Sequence, residues 1–229
     1  MNAGRTRPAI GIEAKSDPML RISEIFFSLQ GETTRMGLPT VFVRLTGCPL
    51  RCVWCDSAYA FTGGTTQSLR KVLETVARYD PRYVCVTGGE PLAQKACQPL
   101  LTALCDAGYS VSLETSGALD IAPVDPRVSR IVDLKTPGSG EAERNHWPNL
   151  DLLNARDELK VVIADRADYD WALQKISANA TFDRCPVLFS PVQAQLPAET
   201  LARWILEDRL PVRFQLQLHK ILWGNVPGR

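Results

Sequence analysis

The stretch Thr40–Asp56 reads TVFVRLTGCPLRCVWCD and joins an apolar run to a loop with three cysteines. Its first part, Thr40–Leu45, is rich in β-branched and aromatic residues, which favour the extended backbone of a buried strand. The proline, arginine and aspartate in the second part are typical of a loop. The stretch therefore predicts a strand whose carboxyl end carries three thiols into one small volume, at Cys48, Cys52 and Cys55.

Strands and helices alternate along the rest of the chain. Residue type and spacing predict strands at Ile22–Phe27, Thr40–Leu45, Arg82–Val86, Ser110–Glu114, Ile131–Leu134, Leu159–Ile163, Val187–Ser190 and Arg213–Leu218. Helical spacing predicts helices at Gln67–Arg78 with Thr66 as its cap, Leu100–Ala107 ending at Gly108, Tyr169–Ile176 and Thr200–Glu207. This alternation predicts an α/β fold with a mainly parallel sheet. The units are too few for a full eight-unit barrel, so we expect a partial TIM-type β/α barrel or an open doubly wound sheet. Its working face lies at the carboxyl ends of the strands.

Composition indicates one globular unit. The 229 residues are 45% hydrophobic and 22% charged, which is ordinary for a folded domain. We expect a flexible lead-in over residues 1–20 and a single domain over residues 21–229. A net charge of +1 gives no electrostatic footprint for a nucleic-acid partner. No apolar run is long enough to span a membrane and no secretory signal is visible, so we expect a cytoplasmic protein without a membrane partner.

Seven cysteines are many for a chain in a reducing compartment, where metal ligands, catalytic thiols and core thiols are the usual roles. The cysteines outside the loop are scattered singly and are expected to be core or surface thiols: Cys85, Cys97, Cys105 and Cys185. Three converging thiolates would repel one another without a cationic partner, and iron–sulfur clusters bind thiolates of this kind. Zinc is the alternative, but a structural zinc site takes four protein ligands. Only a remote fourth ligand, such as His146 or His219, would complete it.

Polar motifs also follow three later strands. Thr87–Pro91 reads TGGEP, and its two glycines allow the backbone to approach a ligand closely. Glu114–Gly117 and Asp133–Lys135 end the next two strands. Taken singly, these motifs are also compatible with a plain turn, a helix cap and an exposed ion pair. Their shared place on the working face favours a site.

The cysteine spacing C-x3-C-x2-C, with Trp54 before the third cysteine and a Gly-Gly-Glu-Pro motif downstream, resembles the radical S-adenosylmethionine (SAM) superfamily. The resemblance implies a 4Fe-4S cluster on the three cysteines, with one iron free to bind SAM. Reductive cleavage of SAM then gives a 5′-deoxyadenosyl radical. By the same resemblance, Gly89 is expected to contact SAM.

A closer resemblance extends over nearly the whole chain beyond Leu20. The segments Ser28–Glu32, Gly37–Thr40, Asp133–Glu141 and Leu216–Lys220 are similar in order and spacing to the 7-carboxy-7-deazaguanine synthase family. This family implies a carbon–nitrogen lyase that converts 6-carboxy-5,6,7,8-tetrahydropterin to 7-carboxy-7-deazaguanine with loss of ammonia, in queuosine and 7-deazapurine biosynthesis. It also implies Mg²⁺, a homodimer and an electron donor such as flavodoxin.

Site residues follow from that resemblance position by position. Substrate contacts are expected at Leu29, Gln30, Gly31, Glu32, Arg44 and Thr87. SAM contacts are expected at Gly89, Glu114, Asp133, Leu134, Lys135, Ser190 and Pro191. For Glu114, a contact with the substrate is the alternative to a contact with SAM. Ser57 is the expected Mg²⁺ ligand, where the family usually has threonine. Further substrate contacts are expected at His219 and Pro227. Thr33 replaces the family's common glycine, which changes the shape of its loop.

Two other functions remain open from the sequence. A glycyl-radical activating enzyme, or another small radical SAM protein, would share the cysteine loop and the Gly-Gly-Glu-Pro motif but act on a protein. A zinc-binding interaction module would carry no chemistry. Arg44 could also be a solvated strand charge.

Overall fold

The computed structural model describes residues 17–193 and 195–224, together with Val226 and Gly228. Within these residues the strands are β1 (Met19–Leu29), β2 (Pro39–Leu45), β3 (Thr65–Ser68), β4 (Tyr83–Gly88), β5 (Ser110–Thr115), β6 (Ser129–Leu134), β7 (Glu158–Ile163), β8 (Val187–Pro191) and β9 (Arg213–Phe214). The helices are α1 (Leu69–Ala77), α2 (Cys97–Asp106), α3 (Asn149–Leu152), α4 (Arg166–Ala178), α5 (Ala198–Glu207) and α6 (Leu218–Trp223). Short 3-10 turns lie at Ala58–Phe61, Pro91–Ala93, Pro137–Ser139, Ala142–Arg144 and Thr181–Asp183.

All the described strands form one sheet in the order β3-β1-β2-β4-β5-β6-β7-β8-β9. Strands β2 and β4 to β9 run parallel, while β1 pairs antiparallel with both β2 and β3. The edge strands β3 and β9 do not pair with each other, so the sheet is open. The predicted partial barrel with a mainly parallel sheet is confirmed.

The two faces of the sheet have different roles. Alternate strand residues such as Val41, Val86 and Leu113 pack in the apolar core that the helices cover. Their neighbours Arg44 and Thr87 face the opposite way and line a cavity. This alternation follows from the period of two in extended backbone, and it divides each strand between packing and chemistry.

Two predicted boundaries near the start of the domain were wrong. Strand β1 begins at Met19 and Leu20 is fully buried, so these two residues do not belong to a flexible lead-in. The lead-in up to residue 16 lies outside the described residues. The predicted cap Thr66 lies instead in β3, which pairs with β1, and the Oγ of Ser68 caps α1 by accepting from the amide of Lys71 at 3.3 Å.

The last predicted strand was too long. Strand β9 contains only Arg213 and Phe214, and Leu218 begins α6. The Gln215 amide still donates to the carbonyl of Phe189 in β8 at 2.9 Å, after which the chain leaves the sheet. The buried Gln215 side chain donates to the carbonyl of Thr33 in the loop after β1 at 2.9 Å. Helix α2 ends at Asp106, one residue before its predicted end at Ala107, and the predicted stop Gly108 has a φ of +81°. Across the described ranges, no helix combines the length and the apolar character needed to cross a membrane.

Candidate active site

A cavity of about 660 Å³ lies at the carboxyl ends of the parallel strands. Most residues predicted from the sequence line it: Leu29, Gln30, Gly31, Glu32, Arg44, Cys48, Cys52, Cys55, Ser57, Thr87, Gly89, Glu114, Asp133, Lys135 and His219. Topology therefore brings together segments that are up to 190 positions apart in the chain, from Leu29 to His219.

Three predicted contacts do not line this cavity. Leu134 packs in the apolar core, because it alternates with the cavity residue Asp133 on the same strand. Ser190 and Pro191 are buried at the end of β8, and the Ser190 hydroxyl has no hydrogen-bond partner among the described residues. Pro227 lies outside the described residues.

The cysteine loop is fixed by the segment that follows β6. The amide of Arg51 donates to Glu141 Oε1 at 2.5 Å, and the amide of Val53 donates to the carbonyl of Ser139 at 3.0 Å. The Arg51 guanidinium donates to the carbonyl of Cys48 at 2.8 Å. These bonds hold the loop against a second strand end and leave its thiols at the cavity.

Burial raises the pKa of all three cysteine thiols in this loop. The ammonium of Lys135 opposes that rise at each of them. Within the described part of the chain, no three His, Cys, Asp or Glu side chains form a group that could hold one metal ion directly. A 4Fe-4S cluster takes its thiolates on separate irons. Three half-buried thiols on one cavity wall are donors that fit such a cluster.

The glycine motif after β4 packs directly under the cysteine loop. A Cβ placed on Gly89 would lie 2.4 Å from the carbonyl oxygen of Gly47 and 2.7 Å from Cys48 Cβ. The amide of Glu90 donates to the same Gly47 carbonyl at 2.7 Å. Glycine is thus required here by the close approach of two loops, whatever ligand the motif also contacts.

Glu90, which the sequence analysis did not single out, joins this motif to the next strand end. It is fully buried and accepts from Thr115 Oγ1 at 2.9 Å, the Ser116 amide at 2.6 Å and the Leu92 amide at 2.9 Å. A buried carboxylate is tolerated when several donors surround it. In the sequence, the feature that could have indicated this role is the acidic residue that follows two glycines at the end of a strand.

Gln30, Thr87 and Glu114 form one polar wall. Gln30 is 3% exposed, and its Nε2 donates to Glu114 Oε1 at 3.1 Å. The hydroxyl of Thr87 donates to Glu114 Oε2 at 3.0 Å, and the amide of Glu32 donates to Gln30 Oε1 at 3.2 Å. The wall is therefore ordered by the protein itself.

Arg44 is not a solvated strand charge, since its side chain is 16% exposed. Its Nε bonds Glu24 Oε1 at 2.7 Å, and the hydroxyl of Tyr59 donates to the same oxygen at 2.7 Å. Burial raises the pKa of Tyr59 to about 12, although the guanidinium acts against this rise. Neither Glu24 nor Tyr59 was predicted from the sequence. Glu24 is the cross-strand partner of Arg44 in the β1–β2 register, which only the pairing reveals.

Asp133 and Lys135 form an ion pair of 2.8 Å between Nζ and Oδ2. Two bonds fix the Lys135 backbone: its amide donates to Asn145 Oδ1 at 2.9 Å, and Asn145 Nδ2 donates to its carbonyl at 2.8 Å. The other carboxylate oxygen of Asp133 is buried and has no partner among the described residues. This buried acceptor lies at the edge of a cavity, and a ligand with a hydroxyl group could donate a hydrogen bond to it.

Helix α6 closes one side of the cavity. Its Leu218 amide donates to the carbonyl of Gly31 at 2.9 Å, and a Cβ on Gly31 would collide with the His219 ring. Lys220 pairs with Asp56 at 3.0 Å, while Lys160 pairs with Glu32 on the cavity side.

These charges set the local pKa values. Burial favours the neutral forms of Glu32 and Asp56, but the neighbouring ammonium groups outweigh it and lower the pKa of both carboxyls. Burial lowers the pKa of His219. Asp56, Lys160 and Lys220 were not predicted from the sequence, because no local pattern marks charges that meet through tertiary contacts.

Residues 42–180 match the model of the radical SAM superfamily. The chain is 48% identical to the 7-carboxy-7-deazaguanine synthase of Chlorobaculum tepidum, over 90% of this chain and 94% of that protein. It is 42% identical to that of Koribacter versatilis, over 89% of this chain and 97% of that protein. The chain belongs to the 7-carboxy-7-deazaguanine synthase family.

A solved structure, "Crystal structure of QueE from Escherichia coli", shares the fold of this family member with a TM-score of 0.67. The two are 26% identical, and the match covers 88% of this chain and 95% of that chain. The predicted family is confirmed, and both the zinc module and the activating enzyme are set aside. For this 7-carboxy-7-deazaguanine synthase family member, the radical SAM superfamily implies a 4Fe-4S cluster and SAM as cofactors.

Proposed function

We propose that this chain converts 6-carboxy-5,6,7,8-tetrahydropterin to 7-carboxy-7-deazaguanine with loss of ammonia, in queuosine or 7-deazapurine biosynthesis. The observation that carries the proposal is its identity of 42–48% to two curated synthases over about nine-tenths of the chain. The cavity supports it, since a polar wall, an arginine and three thiols share one space.

The thiols of Cys48, Cys52 and Cys55 would hold the cluster. When bound, the cluster and SAM would supply the radical chemistry that acts on the substrate. The ammonium of Lys135 lies close enough to act on all three thiols and balances their negative charge when they ionise. The unpartnered oxygen of Asp133 is suited to accept from a ribose hydroxyl of SAM.

The substrate would bind against the wall of Gln30, Thr87 and Glu114. A carboxylate accepts from the ring N–H groups of a pterin, and an amide both donates and accepts. Arg44 lies on β2, beside Thr87 of β4 in the parallel register, and its charge is paired with Glu24. Its guanidinium is suited to a carboxylate or carbonyl of substrate. These groups are ordered before a ligand arrives, which lowers the entropy that binding must overcome.

Ser57 would contribute its hydroxyl to Mg²⁺, which prefers oxygen ligands and keeps several waters. Leu29, Gly31, Glu32 and His219 line the same cavity and are proposed as further substrate contacts. We also propose an electron donor such as flavodoxin and a homodimer, with no nucleic-acid or membrane partner.

The test is anaerobic reconstitution followed by turnover. The protein should take up iron and sulfide, and with reductant, SAM, Mg²⁺ and 6-carboxytetrahydropterin it should release carboxydeazaguanine and ammonia in equal amounts. Cys52→Ala should lose both cluster and turnover. Cys105→Ala, at a free half-buried thiol outside the cavity, should keep both. A wild-type protein with an intact cluster that leaves the pterin unchanged would refute the proposal.

A further inference from the structure

Asp56 stands between the expected magnesium ligand and helix α6. The hydroxyl of Ser57 donates to Asp56 Oδ1 at 3.1 Å. The second oxygen of Asp56 accepts from Gln217 Nε2 at 3.1 Å and pairs with Lys220 Nζ at 3.0 Å. One carboxylate therefore bonds the cysteine loop at one oxygen and the C-terminal helix at the other.

Gln217 joins this arrangement to the loop after β1. Its Nε2 donates to Glu32 Oε1 at 2.8 Å as well as to Asp56, and its Oε1 accepts from Lys220 Nζ. The other oxygen of Glu32 pairs with Lys160. An amide is the neutral group that can donate to two carboxylates and accept from an ammonium at once. The side chain of Lys220 is 14% exposed and that of Asp56 is 41% exposed, so solvent reaches the carboxylate and screens the pair in part.

The direction of the Ser57 bond matters for a cation. A hydroxyl has one proton and two lone pairs, and here the proton is directed at Asp56. The lone pairs are then free to face the cavity, where a divalent ion would take them. Partners behind a ligand commonly fix its orientation in this way, and their loss typically costs about 10- to 100-fold in metal affinity.

We propose that Gln217 and Lys220 are positioning residues that hold Asp56, and through it the Ser57 hydroxyl, for a divalent cation. This inference rests on the proposed function. The C-terminal helix thereby sets the affinity for the cation without touching it. It also links that affinity to the loop after β1, since Gln217 bonds Glu32 as well.

Two variants test the inference. Lys220→Met removes the ammonium and leaves Asp56 without it, while Gln217→Leu removes the amide that bonds Asp56, Glu32 and Lys220 and adds no charge near the cation. The probe is Mn²⁺, whose free-ion EPR signal disappears on binding, titrated into reconstituted protein with SAM and pterin but without reductant. Both variants should bind Mn²⁺ at least about 10-fold more weakly than wild type. Lys220→Arg should recover most of the affinity, because it keeps the charge.

Two further measurements distinguish weaker cation binding from a general loss of folded structure. The turnover rate of Lys220→Met should return towards the wild-type rate at saturating Mg²⁺, which a misfolded protein would not do. Ile221→Ala, at a 60% exposed position of the same helix, should leave Mn²⁺ affinity unchanged.

The outcomes divide cleanly between the two proposals. If wild type does not turn over the pterin, the proposed function fails. If wild type turns it over but does not bind Mn²⁺, or if both variants bind Mn²⁺ as tightly as wild type, the inference is overturned.

Discussion

Gln30 Nε2 bonds Glu114 Oε1 at 3.1 Å across 84 positions of sequence. The bond joins the loop after β1 to the end of β5, and Glu114 also accepts from Thr87. Gln30 is buried and Glu114 is half-buried, so the contact is stronger than it would be at the surface. The polar wall of the cavity therefore depends on Gln30 remaining a donor and Glu114 remaining an acceptor.

The first prediction concerns variants that exchange the amide and the carboxylate of this pair. Gln30→Glu sets one carboxylate against another, and Glu114→Gln leaves Thr87 and Gln30 without a charged acceptor. Each single variant should lower kcat/KM by about 10- to 100-fold, the cost of 1.5–3 kcal/mol expected for a disturbed charged hydrogen bond. The measurement is steady-state turnover of the pterin.

The double variant Gln30→Glu/Glu114→Gln restores one amide and one carboxylate to the pair. It should recover part of the loss, so the two substitutions should not be additive. Strict additivity would mean that the contact does not matter for turnover.

The second prediction concerns Gly89. In Gly89→Ala the new methyl group would meet the Gly47 carbonyl at 2.4 Å, so the cysteine loop must shift. We expect a loss of about 3 kcal/mol in unfolding free energy, as for other overpacked sites, together with reduced iron and sulfide uptake. Both follow from urea unfolding and metal analysis.

Gly108→Ala is the matched control. It places a side chain at a φ of +81° after α2, with no atom near the new Cβ. It should lower stability by about 1 kcal/mol and leave cluster content intact. Equal cluster content in both variants would show that the loop tolerates the shift.

The third prediction concerns Thr33, in the loop after β1. Its φ is +70°, in the left-handed region that costs roughly 1–2 kcal/mol for a side chain. Its Oγ1 accepts from the Arg35 amide at 3.1 Å, which offsets part of that cost. Thr33→Gly should thus stay within about 1 kcal/mol of wild type in urea unfolding.

Two variants bracket that expectation. Thr33→Val keeps the strained φ and loses the acceptor, so it should be less stable than Thr33→Gly. Thr34→Gly removes the hydroxyl that donates to Glu158 at 2.5 Å without relieving any left-handed backbone, and it should also destabilise. If Thr33→Gly were the least stable of the three variants, the backbone at Thr33 would not be strained.

The fourth prediction is a pH dependence from His219. Burial lowers its pKa below 6.5, while Glu32 and Asp56 act in the opposite direction and Lys220 and Lys160 reinforce it. The unfolded chain therefore binds the proton first as pH falls. The stability that His219 contributes is present above about pH 6.5 and is lost as pH falls through the folded-state pKa.

Urea unfolding of wild type and His219→Gln between about pH 7 and pH 5 measures this. The wild-type curve should fall more steeply over that window, by at most about 1.4 kcal/mol per pH unit. Parallel curves would mean that His219 is not held neutral.

Local sequence predicted much of this molecule. The strands from β4 to β8 lie within two residues of their expected bounds at both ends, because their apolar runs are unambiguous. The prediction failed at β3 and at the end of β9, where polar residues pair or turn inward only because of what lies beside them. The prediction also assigned Leu134 to the site. Asp133, Leu134 and Lys135 were taken together as contacts, although alternate residues of a strand face opposite sides of the sheet.

The sequence by itself determined the chemistry of the centre: three thiols at fixed spacing, and the order in which polar motifs follow the strands. The tertiary structure alone decided which charges meet. It placed Glu24 against Arg44, Lys160 against Glu32, and Lys220 against Asp56. Spacing along a chain controls which residues share a turn or a strand end, whereas long-range pairs depend on the order of strands in the sheet and on where helix α6 packs beside the cavity.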